Sequence, residues 1–216
     1  MEVTPIGEYW GHLLDAGKTT YAGLIYRIPP RLWRPLISIQ KELKTIDPRQ
    51  IYTSPGNFHV SVKGLGYLGE EVDESKYERT LSKIGKIIKE FNSFEIEIRG
   101  LGVFPTGIYA CVEDGNKFQN INERIAQDLA GEVDASTYDV EAFVPLITLA
   151  SFNTKDVRKL LDKVESHEMK DTEIGQAGVF EIEAVRTNLI LALGPEETQD
   201  RAFRYIRSFG LGKFSR

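Results

Sequence analysis

The stretch Asn57-Phe58-His59-Val60-Ser61-Val62-Lys63-Gly64 constrains this chain most, because apolar and polar residues alternate through it with the period of a half-buried strand. Phe58, Val60 and Val62 fall on one face, and His59, Ser61 and Lys63 share the other. An imidazole, a hydroxyl and an ammonium on one side of a strand can handle a phosphate: the ring moves a proton while the others donate to anionic oxygens. The same parity also describes an ordinary solvated strand face, so the triplet alone leaves both readings open.

The rest of the chain supplies a setting for that strand. Tyr21–Ile28 reads as a strand closed by Pro29-Pro30, and the spacing of Leu32, Leu36, Ile39, Leu43 and Ile46 predicts a helix after it. Residues 74 to 91 give a second helix with Tyr77, Leu81, Ile84, Ile88 and Phe91 on one stripe and Asp73 as its cap. Strands follow at Phe94–Arg99 and Gly107–Glu113, then a helix capped by Asn116 and a strand at Val144–Ala150. A helix capped by Asn153 or Thr154 and strands at Gly178–Ala184 and Asn188–Leu193 complete the series. One motif is used twice, which predicts two similar α+β lobes in a single domain spanning 1–216. Residues 1–20 show no clean period and read as an arm.

Composition narrows the function classes. No apolar run approaches the roughly 20 residues needed to span a bilayer, and the N-terminus lacks a signal-peptide pattern, so a cytoplasmic protein without membrane partners is expected. The one cysteine, Cys111, leaves no internal disulfide and no multi-thiolate site, and no cofactor or metal is expected. A net charge of -5 argues against a chain coated in polyanion, yet residues 201–216 carry five basic side chains and no acidic one. Interleaved with Phe203, Tyr205, Phe209 and Phe214, they form a basic and aromatic tail able to hold a nucleic-acid backbone and stack its bases. A final helix docked by its aromatic side chains would look the same. Nothing in the sequence sets an oligomeric state.

The second apolar strand sharpens the reading. Aligning His59-Val60-Ser61-Val62 with Leu146-Ile147-Thr148-Leu149 puts Ser61 opposite Thr148 and His59 opposite Leu146. With Lys63-Gly64-Leu65-Gly66, Gly100-Leu101-Gly102-Val103-Phe104-Pro105 and Pro145-Leu146-Ile147-Thr148-Leu149-Ala150, the chain resembles the 2H phosphoesterase superfamily from about Tyr21 to Arg207. The resemblance is strongest to its 2'-5' RNA ligase and RNA 2',3'-cyclic phosphodiesterase branch. It implies a two-lobed, pseudo-symmetric fold with antiparallel sheets facing a central cleft and helices outside, and one His with one Thr or Ser from each lobe. It also implies RNA or nucleotide phosphate as partner and no cofactor.

Leu146 departs from that pattern, because it stands where the second motif carries His. Ser151 likewise stands where many active relatives carry Arg. The resemblance carries His59 over as a catalytic residue and Ser61 and Thr148 as phosphate contacts. Lys63 joins them on strand parity; Tyr26, Phe104 and Tyr109 are stacking candidates for a base, and Arg186 could replace a missing charge. Three functions stay open: a binder of nucleotides or RNA ends with weak or no catalysis; an active phosphodiesterase or ligase using His59 with a substitute group such as Tyr138 or water; and a structural or partner-binding protein.

Overall fold

The computed structural model describes residues 2–69, 71–132 and 143–212. In chain order the elements are α1 (Ile6–Asp15), β1 (Thr20–Arg27), α2 (Trp33–Ile46), β2 (Ile51–Tyr52), β3 (His59–Tyr67), α3 (Tyr77–Ile88), β4 (Phe94–Phe104), β5 (Gly107–Glu113), α4 (Lys117–Asp128) and β6 (Leu146–Ser151). They continue through α5 (Arg158–Val164), α6 (His167–Lys170), β7 (Glu173–Val179), β8 (Glu181–Asn188), α7 (Leu189–Ala192), α8 (Glu196–Gln199) and β9 (Phe203–Gly210). The apolar stripes form the helices expected of them: in α3, Tyr77, Leu81, Ile84 and Ile88 are each no more than 1% exposed. Asp73 does not cap α3 but closes the turn ahead of it, accepting from the Ser75 backbone N–H at 2.9 Å. At α4 the same task falls to Asp114, whose carboxylate accepts from the Phe118 N–H at 2.6 Å while Asn116 sits in the left-handed region.

The strands build one antiparallel sheet in the order β7-β4-β5-β6-β3-β1-β8-β9, with β2 pairing the end of β6 along the edge that β3 also joins. Its midpoint is a seam of one pair, Val60 opposite Ile147, which joins the four-stranded half β6-β5-β4-β7 to the half β3-β1-β8-β9. The two sheets of the α+β fold are therefore continuous through the seam. Helices cover one face, where Leu24, Val60, Ile108, Ile147 and Ala184 are fully buried in a common core. The opposite face is open, and the sheet curls around it. The rings of His59 and Phe203 meet at 5.0 Å although Phe203 is in register with Thr187 at the far end of β8, so the contact crosses the concavity.

Four expectations change form. The lobes are not consecutive halves of the chain, because β8 and β9 return to complete the lobe that β1 and β3 begin. The late strands run 173–179 and 181–188; the stretch after them is the short α7, capped by the Asn188 side chain. Within the described part of the basic stretch, residues 203–210 are neither loose nor helical: they form β9, an edge strand whose Phe209 is 6% exposed in the core. The first residues are no bare arm either. Gly7 and Gly11 weaken the helical pattern of α1 by about 1 kcal/mol each. Tertiary anchoring offsets that cost: Ile6 is buried and its N–H donates to Phe152 O at 2.6 Å.

Candidate functional site

Four motif side chains lie on the open face astride the seam. Val60 and Ile147 turn toward the helices, so their chain neighbours turn the other way. Continuing that register sets His59 across from Thr148 and Ser61 across from Leu146, with His59 and Leu146 as diagonal neighbours, somewhat closer than roughly 7–8 Å at Cβ. All four are partly exposed. A two-fold axis through the Val60–Ile147 pair carries His59 onto Leu146 and Ser61 onto Thr148, matching the alignment of the two motifs.

The symmetry extends to an irregularity that alternation conceals. Ser61 pairs with Ile25 and Lys63 with Leu24, leaving Val62 as a bulge; Thr148 pairs with Tyr109 and Ala150 with Ile108, leaving Leu149 as a bulge. Each bulge carbonyl accepts a hydrogen bond from a buried side-chain amide. Asn122 of α4 donates to Val62 O at 2.8 Å, and Gln40 of α2 donates to Leu149 O at 2.7 Å. The helices are exchanged between units: α2 links β1 to β3 yet serves β6, while α4 links β5 to β6 yet serves β3.

This bulge overturns the placement of Lys63. Shifted into register with Leu24, it leaves the face of His59 and Ser61, and at 1% exposure it is embedded on the helix side of the sheet. Ala150, its two-fold equivalent, is equally buried. Tyr26 is also on the packed face: its hydroxyl donates to Gly178 O at 3.1 Å, its ring lies 6.0 Å from that of Phe118, and burial pushes its phenol up to about 12. Phe104 and Tyr109 do reach the open face, with ring centroids 5.6 Å apart. Tyr109 lies across Gly102, where a Cβ would stand 2.3 Å from the phenol ring, so only glycine leaves room for it. Arg186 faces the helices, donating to Glu74 at 3.0 Å and stacking over Tyr77. In β9, Arg207 pairs with Glu78 at 2.8 Å while Arg204 is exposed. Tyr138, Lys213, Phe214, Arg216 and the side chain of His12 lie outside the described residues.

His59 is held from three sides. Its Nδ1 stands 2.7 Å from Asn57 O; a carbonyl only accepts, so Nδ1–H donates and the neutral ring keeps its lone pair on Nε2. Phe203 covers one side of the ring, and Arg27 is the backbone partner of His59 on β1. Burial, helped by the Arg27 charge, holds the imidazole below its ordinary pKa and hence neutral at pH 7. The segment ahead of it is pinned, because Asn57 Nδ2 donates to Gln199 O at 2.6 Å and the Ser54 N–H donates to Gln199 Oε1 at 2.9 Å. A fixed neutral imidazole that keeps its lone pair on Nε2 has the chemistry to accept a proton. Its two-fold equivalent, Leu146, is instead in register with Cys111, whose thiol burial pushes up and so keeps protonated.

Sequence reasoning passed over Arg27, Gln40 and Asn122, and set Phe203 in the aromatic tail but not beside His59. Arg27 carried one signal, a charge ending the apolar run of β1; the others are recognisable only once the sheet is assembled. Among the described residues, no group of three or more His, Cys, Asp or Glu side chains is placed to hold a metal ion, and no helix is long and apolar enough to cross a membrane.

Comparison with known proteins bears on this arrangement. Residues 28–189 match the family model of the 2'-5' RNA ligase superfamily. The RNA 2',3'-cyclic phosphodiesterase of Methanothermobacter thermautotrophicus is 27% identical over 171 residues, covering 77% of this chain and 88% of that protein. Its Aquifex aeolicus namesake is 25% identical over 138 residues, covering 60% of this chain and 71% of that protein. Among solved structures, TT0787 of Thermus thermophilus superposes with a TM-score of 0.66 at 17% identity, covering 89% of this chain and 98% of that one. E. coli LigT complexed with 3'-AMP gives 0.66 at 13% identity, with the same coverage of 89% and 98%.

Proposed function

This chain belongs to the 2'-5' RNA ligase superfamily, and on that premise we propose that it binds the phosphate of nucleotides or of RNA 2',3'-cyclic ends on the face shared by β3 and β6, with little or no turnover. Opening a 2',3'-cyclic phosphate takes a base for the attacking water and an acid for the departing ribose oxygen, on opposite sides of phosphorus. His59, neutral with its Nε2 lone pair available, suits the first task. Leu146 can perform neither. One positioned proton-transfer group is worth about 10²–10⁴-fold in rate, and that is the shortfall this site carries. Ser61 and Thr148 remain as hydroxyl donors to the phosphoryl oxygens, and the Phe104 and Tyr109 rings, tilted 31° to each other, give an aromatic surface on which a base can stack.

The observation that carries this reading is the Val60–Ile147 pair, which makes Leu146 the two-fold counterpart of His59 on one open face. The test is a titration and a turnover assay with 2',3'-cyclic AMP. Saturable binding that His59→Ala weakens, with slow or absent hydrolysis, is the expected result. Rapid hydrolysis by the wild-type chain, or binding that His59→Ala leaves unchanged, would overturn it.

A further inference from the structure

A phosphate site needs a cation, and the two residues the motifs offer for that purpose do not serve the open face. Lys63 is turned into the protein by the β3 bulge, and Ser151 carries no charge. Arg27 occupies the place they leave. It is the register partner of His59, so the two side chains share the open face about 5 Å apart at Cβ. Its two-fold equivalent is Cys111, the register partner of Leu146, so the cation stands only in the lobe that keeps its histidine.

The guanidinium is held ready. Nε and Nη2 donate to Glu183 Oε2 at 3.1 and 3.0 Å, and Nη1 donates to Gly56 O at 2.7 Å. Those bonds use three of its five N–H groups and leave two for a ligand. The Arg27 side chain is 33% exposed and Glu183 is 16% exposed, so the pair is reachable from solvent yet sheltered enough for its charges to count. Glu183 reaches this position from β8, where it is in register with Ile25, the residue opposite Ser61. Ser61, His59, Arg27 and Glu183 thus form one patch.

We propose that Arg27 is a phosphate-binding residue of this face, and that Glu183, by fixing and partly neutralising it, matches the patch to a singly charged phosphodiester such as a 2',3'-cyclic phosphate over a doubly charged phosphomonoester. The assignment rests on the reading of the open face as a phosphate site. Charge balance sets the preference. A neutral His59 with one cation and one anion gives a patch near zero net charge, whose N–H groups accept a monoanion more readily than they offset a dianion. Arg27 donates to a non-bridging oxygen without leaving Glu183 or Gly56, so no side chain is reordered on binding.

The test is calorimetric titration of the full chain and its variants with 2',3'-cyclic AMP and with 3'-AMP. Arg27→Gln should weaken the cyclic ligand roughly ten- to hundredfold. Arg27→Lys should fall between it and the wild type. Glu183→Gln should act in the opposite direction, tightening 3'-AMP severalfold and 2',3'-cyclic AMP less. A pair that merely braces β1 against β8 would lose affinity on both substitutions, so a loss in Glu183→Gln overturns the proposal even where Arg27→Gln fails to fold. Wild-type affinity in Arg27→Gln alongside weakened binding in His59→Ala would remove Arg27 from the site while leaving the phosphate reading standing. Failure of the wild-type chain to bind either nucleotide would remove both.

Discussion

The two halves of the sheet have the same backbone and different chemistry. On each side of the Val60–Ile147 pair a motif strand bulges at the equivalent residue, and a buried amide from an exchanged helix holds the bulge carbonyl. On the open face the likeness ends. One half presents His59, Arg27 and Glu183, while the other presents Leu146, Cys111 and the Tyr109 ring over Gly102. The difference separates what a fold needs from what a reaction needs. Val60 and Ile147 face the core and are both aliphatic; position 146 faces the open side, where exchanging an imidazole for an isobutyl group costs no core packing.

The sharpest way to break the comparison is to erase it. Leu146→His should raise hydrolysis of 2',3'-cyclic AMP by about 10²–10⁴-fold, the usual worth of one positioned proton-transfer group, and the gain should vanish in Leu146→His combined with His59→Ala. An unchanged rate in a folded variant would mean that the two positions do not serve one phosphate. Next in size are the helix amides. Gln40→Ala removes the side-chain donor shared by Leu149 O and Thr53 O, although Leu149 O keeps the Thr53 N–H at 3.0 Å, and Asn122→Ala removes the side-chain donor to Val62 O, so each should cost about 1–3 kcal/mol in urea unfolding. Near-equal losses would support the duplicated clamp; a loss in only one would show that the lobes are braced differently.

The smallest effect concerns His59 and pH. Its folded-state pKa lies below its ordinary value of 6.5, so the unfolded chain binds more protons as the medium becomes acidic. The stability due to neutral His59 is therefore present above pH 6.5 and is lost as pH falls from there through the folded pKa. Unfolding of wild type and His59→Gln from pH 7.5 to pH 5 checks this: the wild type should lose stability faster. Leu146→Gln, the matching change across the axis, should leave the slope unchanged.

What the sequence discloses about this molecule follows the range of the forces involved. The pattern of Phe58, Val60 and Val62 marks a strand because burial is decided residue by residue, and the same logic marks α2, α3 and α4. Alternation failed at Lys63 because a bulge has no signature in side-chain type. Val62 and Lys63 continue the apolar–polar beat, and only the register with Leu24 shows that the beat has slipped. The strand character of 203–210 was masked by arginines that an edge strand tolerates on its exposed positions. His59, Ser61 and Thr148 could be named as candidates from two short motifs. Arg27 could not, and Phe203 was legible only as part of an aromatic tail, since what brings both to His59 is the neighbouring strand and the curl of the sheet.

A crystal structure with 2',3'-cyclic AMP tests most directly whether one phosphate position spans the seam. The phosphorus should lie over the Val60–Ile147 pair, with Nε2 of His59 and the hydroxyls of Ser61 and Thr148 within hydrogen-bond reach of its oxygens and Leu146 on the opposite side. Phosphate bound elsewhere, as in the groove beside Trp33, Arg34 and Lys41 on α2, with the seam empty, would contradict it.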